Sequence, residues 1–154
     1  MNRAAEKAER ERCVFQTFIR TGKLPIVPES VESRPPREPD ILCFDAEEGH
    51  IAFELVEICE EGLARKLSAI GKEEFGFVRS QDPSRLVLRK KLRKSYRTGH
   101  PVELLCYVGR SLSADSQILA TIRPMIDMNN GQFRRIWLLG AECHLVWPSG
   151  GLTP

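Results

Sequence analysis

Residues 38–59 read Glu-Pro-Asp-Ile-Leu-Cys-Phe-Asp-Ala-Glu-Glu-Gly-His-Ile-Ala-Phe-Glu-Leu-Val-Glu-Ile-Cys. Two apolar runs, ILCF at 41–44 and HIAFELVEIC at 50–59, flank the connector DAEEG at 45–49. Short length, β-branching and an acidic, glycine-containing link predict a β-hairpin. Alternation puts Ala52, Glu54, Val56 and Ile58 on one face of the second strand, and Phe53, Leu55, Glu57 and Cys59 on the other. Glu54 therefore interrupts a face lined by Ala, Val and Ile, where a carboxylate is costly to bury unless it is paired or binds a cation. Asp40 enters the first strand directly after Pro39, and in a tight hairpin that entry lies near the far part of the partner strand. Two readings stand at this point. Asp40 and Glu54 converge on one hard divalent cation, Mg²⁺ by ligand type, or they are edge carboxylates paired with Arg or Lys. The turn acids Asp45, Glu47 and Glu48 are expected to be solvated.

Upstream of the hairpin, residues 3–21 predict a helix with an apolar stripe of Val14, Phe15, Phe18 and Ile19, stopped by Thr21-Gly22. Residues 22–39 carry five prolines and read as irregular. Downstream, 60–70 predicts a short helix, and Asp82-Pro83-Ser84 opens a stronger one with Leu86, Leu88, Leu92 and Tyr96 as buried positions, ended by Thr98-Gly99-His100-Pro101. VELLCYV at 102–108 reads as a strand covered on both faces. Ser113 is placed to cap a helix running to Met128, and RRIWLLG at 134–140 and CHLVW at 143–147 read as strands. The expected fold class is α/β, with a mixed central sheet flanked by helices in a single domain over 1–148 and a disordered tail at 149–154.

With 154 residues, 42% hydrophobic and 29% charged, the chain has enough apolar material for a core without a disulfide or metal staple. A balance of 23 basic against 21 acidic residues excludes a polybasic protein. No segment reaches the roughly 18 apolar residues of a membrane span, and the charged amino-terminal stretch lacks a signal-peptide core. The five cysteines form no C-x-x-C pair, which fits a reduced, cytoplasmic protein and gives no zinc-finger spacing.

The charges are nevertheless segregated. Residues 38–61 contain nine acids and no Lys or Arg, whereas 85–97 contain Arg85, Arg89, Lys90, Lys91, Arg93, Lys94 and Arg97 and no acid. A basic helix after an acidic hairpin suits a phosphate-binding surface beside a metal site, against the plainer reading of a solvated helix face.

Glu38-Pro39-Asp40-Ile41-Leu42, the turn at Gly49 and Ile51-Ala52-Phe53-Glu54-Leu55-Val56 resemble the PD-(D/E)xK nuclease superfamily. That resemblance implies a restriction-endonuclease-like core of helix, three strands, helix and strand, with 41–44, 50–59 and 102–108 as the three strands, 113–128 as the crossover helix and 134–140 as the fourth strand. It implies Asp40 and Glu54 as ligands of Mg²⁺ or Mn²⁺, joined by Glu6, Glu9 or Glu11 from the first helix. The superfamily lysine, two residues after the second acid, is Val56 here. A lysine from the neighbouring helix takes that role in some members, and Lys91, near the apolar margin set by Leu88 and Leu92, is the preferred candidate over Lys94.

The expected function is metal-dependent hydrolysis of phosphodiester bonds in DNA. Asp40, Glu54 and Lys91 would be catalytic, while Arg85, Arg89, Arg93, Lys94 and Arg97 would contact backbone phosphates. The partner would be DNA, not a membrane, and a homodimer suits cutting of both strands. The alternatives are a catalytically inactive relative that binds nucleic acid or a protein, and an unrelated α/β domain.

Cys143 and His144 point to opposite strand faces and suit no catalytic pair. His50 and His100 read as surface histidines. Trp137 and Trp147 read as core.

Overall fold

The structure is a computed structural model that describes residues 3–58, 83–109 and 114–148. Its described residues form a mixed α/β fold with a six-stranded open sheet and three α-helices. Along the chain these are α1 (Arg3–Gly22), β1 (Glu32–Ser33), β2 (Ile41–Asp45), β3 (Gly49–Ile58), α2 (Pro83–Arg93), β4 (Val102–Val108), α3 (Asp115–Met128), β5 (Ile136–Leu139) and β6 (Cys143–Trp147). Strands lie side by side in sequence order, with β3, β4 and β5 mutually parallel and the β1–β2, β2–β3 and β5–β6 pairs antiparallel.

The hairpin forms as expected, with Ile41 opposite Phe53 and Asp45 opposite Gly49, and Gly49 takes the positive φ of 89° that closes the turn. Sheet parity then divides the apolar residues between two layers. Phe15, Phe18 and Ile19 of α1 pack with Ile41, Phe53, Leu55 and Leu105 on one face. On the other face, Leu88 and Leu92 of α2 and Ile118, Ile122 and Ile126 of α3 pack with Ala52, Val56, Leu104 and Ile136. Helices thus flank both sides of the sheet, and every apolar side chain of β3 is buried. Among the described residues, no helix is long and apolar enough to cross a membrane.

Several sequence expectations need correction. The 22–39 segment is only partly irregular: β1 pairs with β2, a 3-10 turn spans Pro28–Ser30, and Val27 N–H donates to the Phe44 carbonyl at 2.9 Å. As a result, 102–108 is the fourth strand along the chain rather than the third. It is reached from β3 through α2, while the helix expected at 113–128 connects β4 to β5. Asp45 is not a solvated turn residue; it is buried, and its Oδ1 accepts the Glu47 and Glu48 N–H groups at 2.7 and 3.0 Å. Glu48 pairs with Arg134 and Arg135 at 2.7 and 3.1 Å. Leu86 is exposed, because two helical steps from Leu88 carry it off the buried stripe. The second helix ends at Arg93, before Tyr96, which is nevertheless buried. Ala114 stands at the amino-terminal cap of α3, where Gln117 Oε1 accepts its N–H at 3.1 Å. The helix expected at 60–70, the Ser113 cap, Cys59 and the tail at 149–154 lie outside the described residues.

Candidate functional site

At the start of β2 the pairing with β3 gives way to side-chain bonding. Asp40 N–H donates to Glu54 Oε1 at 3.1 Å, and Leu55 N–H donates to Asp40 Oδ2 at 2.9 Å. Each carboxylate thus caps a backbone donor of the other's strand, and the two acids stand side by side. Glu54 is 1% exposed and Asp40 half-buried. The α2 side of the sheet then supplies the cations. Lys91 Nζ lies 2.5 Å from Glu54 Oε2, and Lys94 Nζ lies 3.9 Å from the same oxygen. Lys91 reaches it because Leu88 and Leu92, its neighbours along the buried stripe, seat that part of α2 directly on the face that carries Ala52, Glu54 and Val56.

From the opposite layer comes Glu11. It is buried at 7% exposure, whereas Glu6 and Glu9 are exposed, which ranks the three first-helix candidates. Burial first, and then the charge of Asp40, push its carboxyl up to about 7, against the pull of Lys7, whose Nζ is 3.5 Å away. Helical spacing carried this signal. Glu11 stands four and seven residues before Phe15 and Phe18 and so belongs to the apolar stripe. The Glu54 carboxyl is likewise raised above its ordinary value, by burial and then by Asp40, with Lys91 and Lys94 opposing. Burial and the Asp40 charge thus act in the same direction on Glu11 and Glu54.

Tyr96 completes the surroundings and was read from sequence only as a core position. Its ring is buried beside Phe133, with Lys94 Nζ 5.1 Å from the ring centre. Its hydroxyl is buried and makes no hydrogen bond of ordinary geometry. Burial, and next the charge of Glu54 and a contact with its carboxylate too loose for an ordinary hydrogen bond, push the phenol pKa upward.

This arrangement suits Mg²⁺ or Mn²⁺ by donor type: two adjacent carboxylates are the number that a small hard cation takes from protein, alongside water and substrate phosphate. Among the described residues, no three His, Cys, Asp or Glu side chains converge as a complete cage. Val56 is 3% exposed within the core, so no strand lysine stands at its position.

No family model, curated protein or solved structure matches the chain.

The expected phosphate-contacting residues are spread along the outer side of α2 and the segment after it. Arg93, Lys94 and Arg97 are exposed and Arg89 half-buried, while the side chain of Arg85 lies outside the described residues. Arg89, Arg93 and Lys94 line a shallow groove with Leu86 and Lys90. Lys94 belongs as much to the carboxylate site as to this surface. Arg89, Arg93 and Arg97 form no ion pair among the described residues, which leaves their charge directed at solvent. His50 lies at the hairpin end of β3, 5.4 Å from the His100 ring, away from the two acids. Glu57 is exposed and, by strand parity, lies on the face opposite Glu54. His144 Nε2 lies 2.8 Å from Asp115 Oδ2, a pairing that fastens the β5–β6 turn to α3.

Proposed function

We propose that the chain is a metal-dependent nuclease of the PD-(D/E)xK type, acting on DNA, in which Lys91 does from α2 what the superfamily lysine does from the strand. The single observation that carries this reading is the convergence of Asp40, Glu54 and Lys91. They come from residues far apart in sequence, and Lys91 Nζ is 2.5 Å from Glu54 Oε2. The succession α1, β1, β2, β3, α2, β4 also has the order helix, three strands, helix and strand, but on other elements than the sequence assigned: β1 stands as the first strand, α2 as the crossover helix and 102–108 as the fourth strand.

Asp40 and Glu54 would hold Mg²⁺ or Mn²⁺. That ion supplies a Lewis acid that polarises a phosphate oxygen and acidifies bound water. The chain's own contribution is electrostatic. Lys91 places a positive charge beside the carboxylates, where negative charge builds up on phosphorus as water adds and the P–O bond to the leaving alcohol breaks. Arg89, Arg93 and Arg97 bind backbone phosphates and so add affinity without sequence choice. Glu11 carries a carboxyl raised to about 7 by burial and then by Asp40, and a cation held by Asp40 would lower it.

The inactive-relative reading has one observation in its favour: Lys91 and Lys94 already satisfy Glu54. Calorimetry with Mg²⁺ and Mn²⁺ separates the two. Binding in the wild type that is lost in both Asp40→Ala and Glu54→Ala is expected, with divalent-dependent cleavage of DNA lost in Lys91→Ala. Absence of binding in the wild type, with and without DNA, overturns the nuclease reading and favours the inactive relative.

A further inference from the structure

Tyr96 carries a hydroxyl that makes no hydrogen bond of ordinary geometry in the resting molecule. The residue is 8% exposed, its N–H donates to Gln132 Oε1 at 3.1 Å, and its ring packs 5.8 Å from that of Phe133. Gly131, at φ 64°, lets this loop press against α2, since a Cβ there would meet the Leu92 carbonyl at 2.4 Å. The ring is therefore fixed from several sides, yet its buried hydroxyl makes no hydrogen bond of ordinary geometry and has only a loose contact with the Glu54 carboxylate. Phenylalanine would fill the same space without a stranded polar group, so the oxygen costs the folded state stability.

The acceptor beside that oxygen is the Glu54 carboxylate, and both of its oxygens are engaged. Oε1 accepts the Asp40 N–H, and Oε2 faces Lys91 at 2.5 Å and Lys94 at 3.9 Å. We infer that Tyr96 is a positioning residue, taking over Glu54 Oε2 when Lys91 turns from the carboxylate to a phosphate oxygen. This rests on the nuclease reading, which gives Lys91 a reason to leave. A carboxylate released by its lysine needs another donor to hold its orientation. A neutral phenol does this without adding a positive charge that would compete with a divalent cation for Glu54. Lys94 stands near both groups, 5.1 Å from the Tyr96 ring centre and 3.9 Å from Glu54 Oε2.

Tyr96→Phe tests the assignment, because it should act with opposite signs on two quantities. Without divalent ions, its Tm at pH 8 is expected to rise by about 2–4 °C, as an unpaired buried hydroxyl disappears. Its affinity for Mg²⁺ or Mn²⁺ by calorimetry is expected to fall about tenfold, the usual consequence of losing a group that orients a metal ligand. A merely structural tyrosine would not give that pair of signs.

Lys91→Met supplies a second measurement that needs no metal. With Lys91 gone the hydroxyl engages Glu54, so adding Tyr96→Phe should now lower the Tm instead of raising it. The same rise in both backgrounds would overturn the proposal, as would a fall in Tm for Tyr96→Phe alone. Sign reversal in the cycle without any metal binding by the wild type would sustain the Tyr96 contact and defeat the nuclease reading instead.

Discussion

Val56 stands two residues after Glu54 on the same face of β3, and it is 3% exposed against α2 and α3. The family pattern alone suggests that Val56→Lys would restore or raise cleavage if the metal site is intact. Its surroundings give the opposite expectation. An ammonium at that position meets apolar neighbours, while the place beside Glu54 Oε2 is already taken by Lys91. Val56→Lys should lose on the order of 3 kcal/mol of stability in urea denaturation and gain no cleavage over wild type. A folded, faster variant would show that α2 does not supply the working lysine. Glu11 carries a prediction of different kind. Its folded pKa of about 7 lies above the ordinary 4.5, so the folded state holds the proton more tightly than the unfolded chain. The stability it contributes is complete below about pH 4.5 and is lost as pH rises through about 7. Within that window the wild type should lose about 1.4 kcal/mol per pH unit from this group. Glu11→Gln should remove that slope, leaving the difference between the two proteins flat above about pH 7. Identical pH profiles would place Glu11 in solvent.

The second helix performs two tasks with two faces, and only one of them depends on packing. Leu88 and Leu92, at 0% and 4% exposure, seat it on the sheet. That seating delivers Lys91 to Glu54, while Arg89, Lys90 and Arg93 stay on the outer side. If that side holds DNA, Arg89→Ala with Arg93→Ala should weaken binding alike for unrelated sequences. It should also reduce the slope of log affinity against log salt by about 2. Fluorescence anisotropy across a salt series reads both quantities, and Mg²⁺ affinity should not move. An unchanged salt slope would make this face a solvated one. How legible these features were from sequence follows from the range of the interactions involved. Parity of a ten-residue strand placed Glu54 on the α2 face, and helical spacing put Lys91 at the margin of the buried stripe. The two residues of β1 are too few to show any period, and they gain strand form only by pairing with β2. Asp45 was misread because its partners are the backbone donors of its own turn, which composition does not reveal. The role of Tyr96 depends on a loop held by Gln132, 36 residues further along, and no local pattern announces such a contact.

Across the whole sheet, two glutamates lie buried on neighbouring strands, each 1% exposed, and they are treated oppositely. Glu103 of β4 faces the α1 layer. Its Oε2 accepts two bonds from Arg134 at 3.0 and 2.6 Å and one from Arg135 at 2.9 Å, and its Oε1 accepts the Trp137 indole N–H at 2.8 Å. The two arginines continue to Glu48, so the network ties β4 and the approach to β5 to the β2–β3 hairpin. In that network two carboxylates share two guanidinium groups, so the charges balance. Glu54, on the other side of the sheet, sits beside a second carboxylate, with a stranded hydroxyl next to it and a raised pKa. Charge-neutral substitutions should therefore separate the two. Glu103→Gln leaves two arginines with Glu48 alone as counter-charge and should lose about 3 kcal/mol in urea denaturation, with Mg²⁺ affinity unchanged. Glu54→Gln removes a desolvated charge and its repulsion with Asp40, while Lys91 and Lys94, at 20% and 45% side-chain exposure, can turn to water. Its stability near neutral pH should stay within about 1 kcal/mol of wild type or exceed it, while metal binding is lost. This is the pattern of a charge kept for chemistry rather than for folding. A Glu54→Gln protein that loses as much stability as Glu103→Gln would make Glu54 a second structural ion pair, and the carboxylate site would then have no function beyond holding α2 to the sheet.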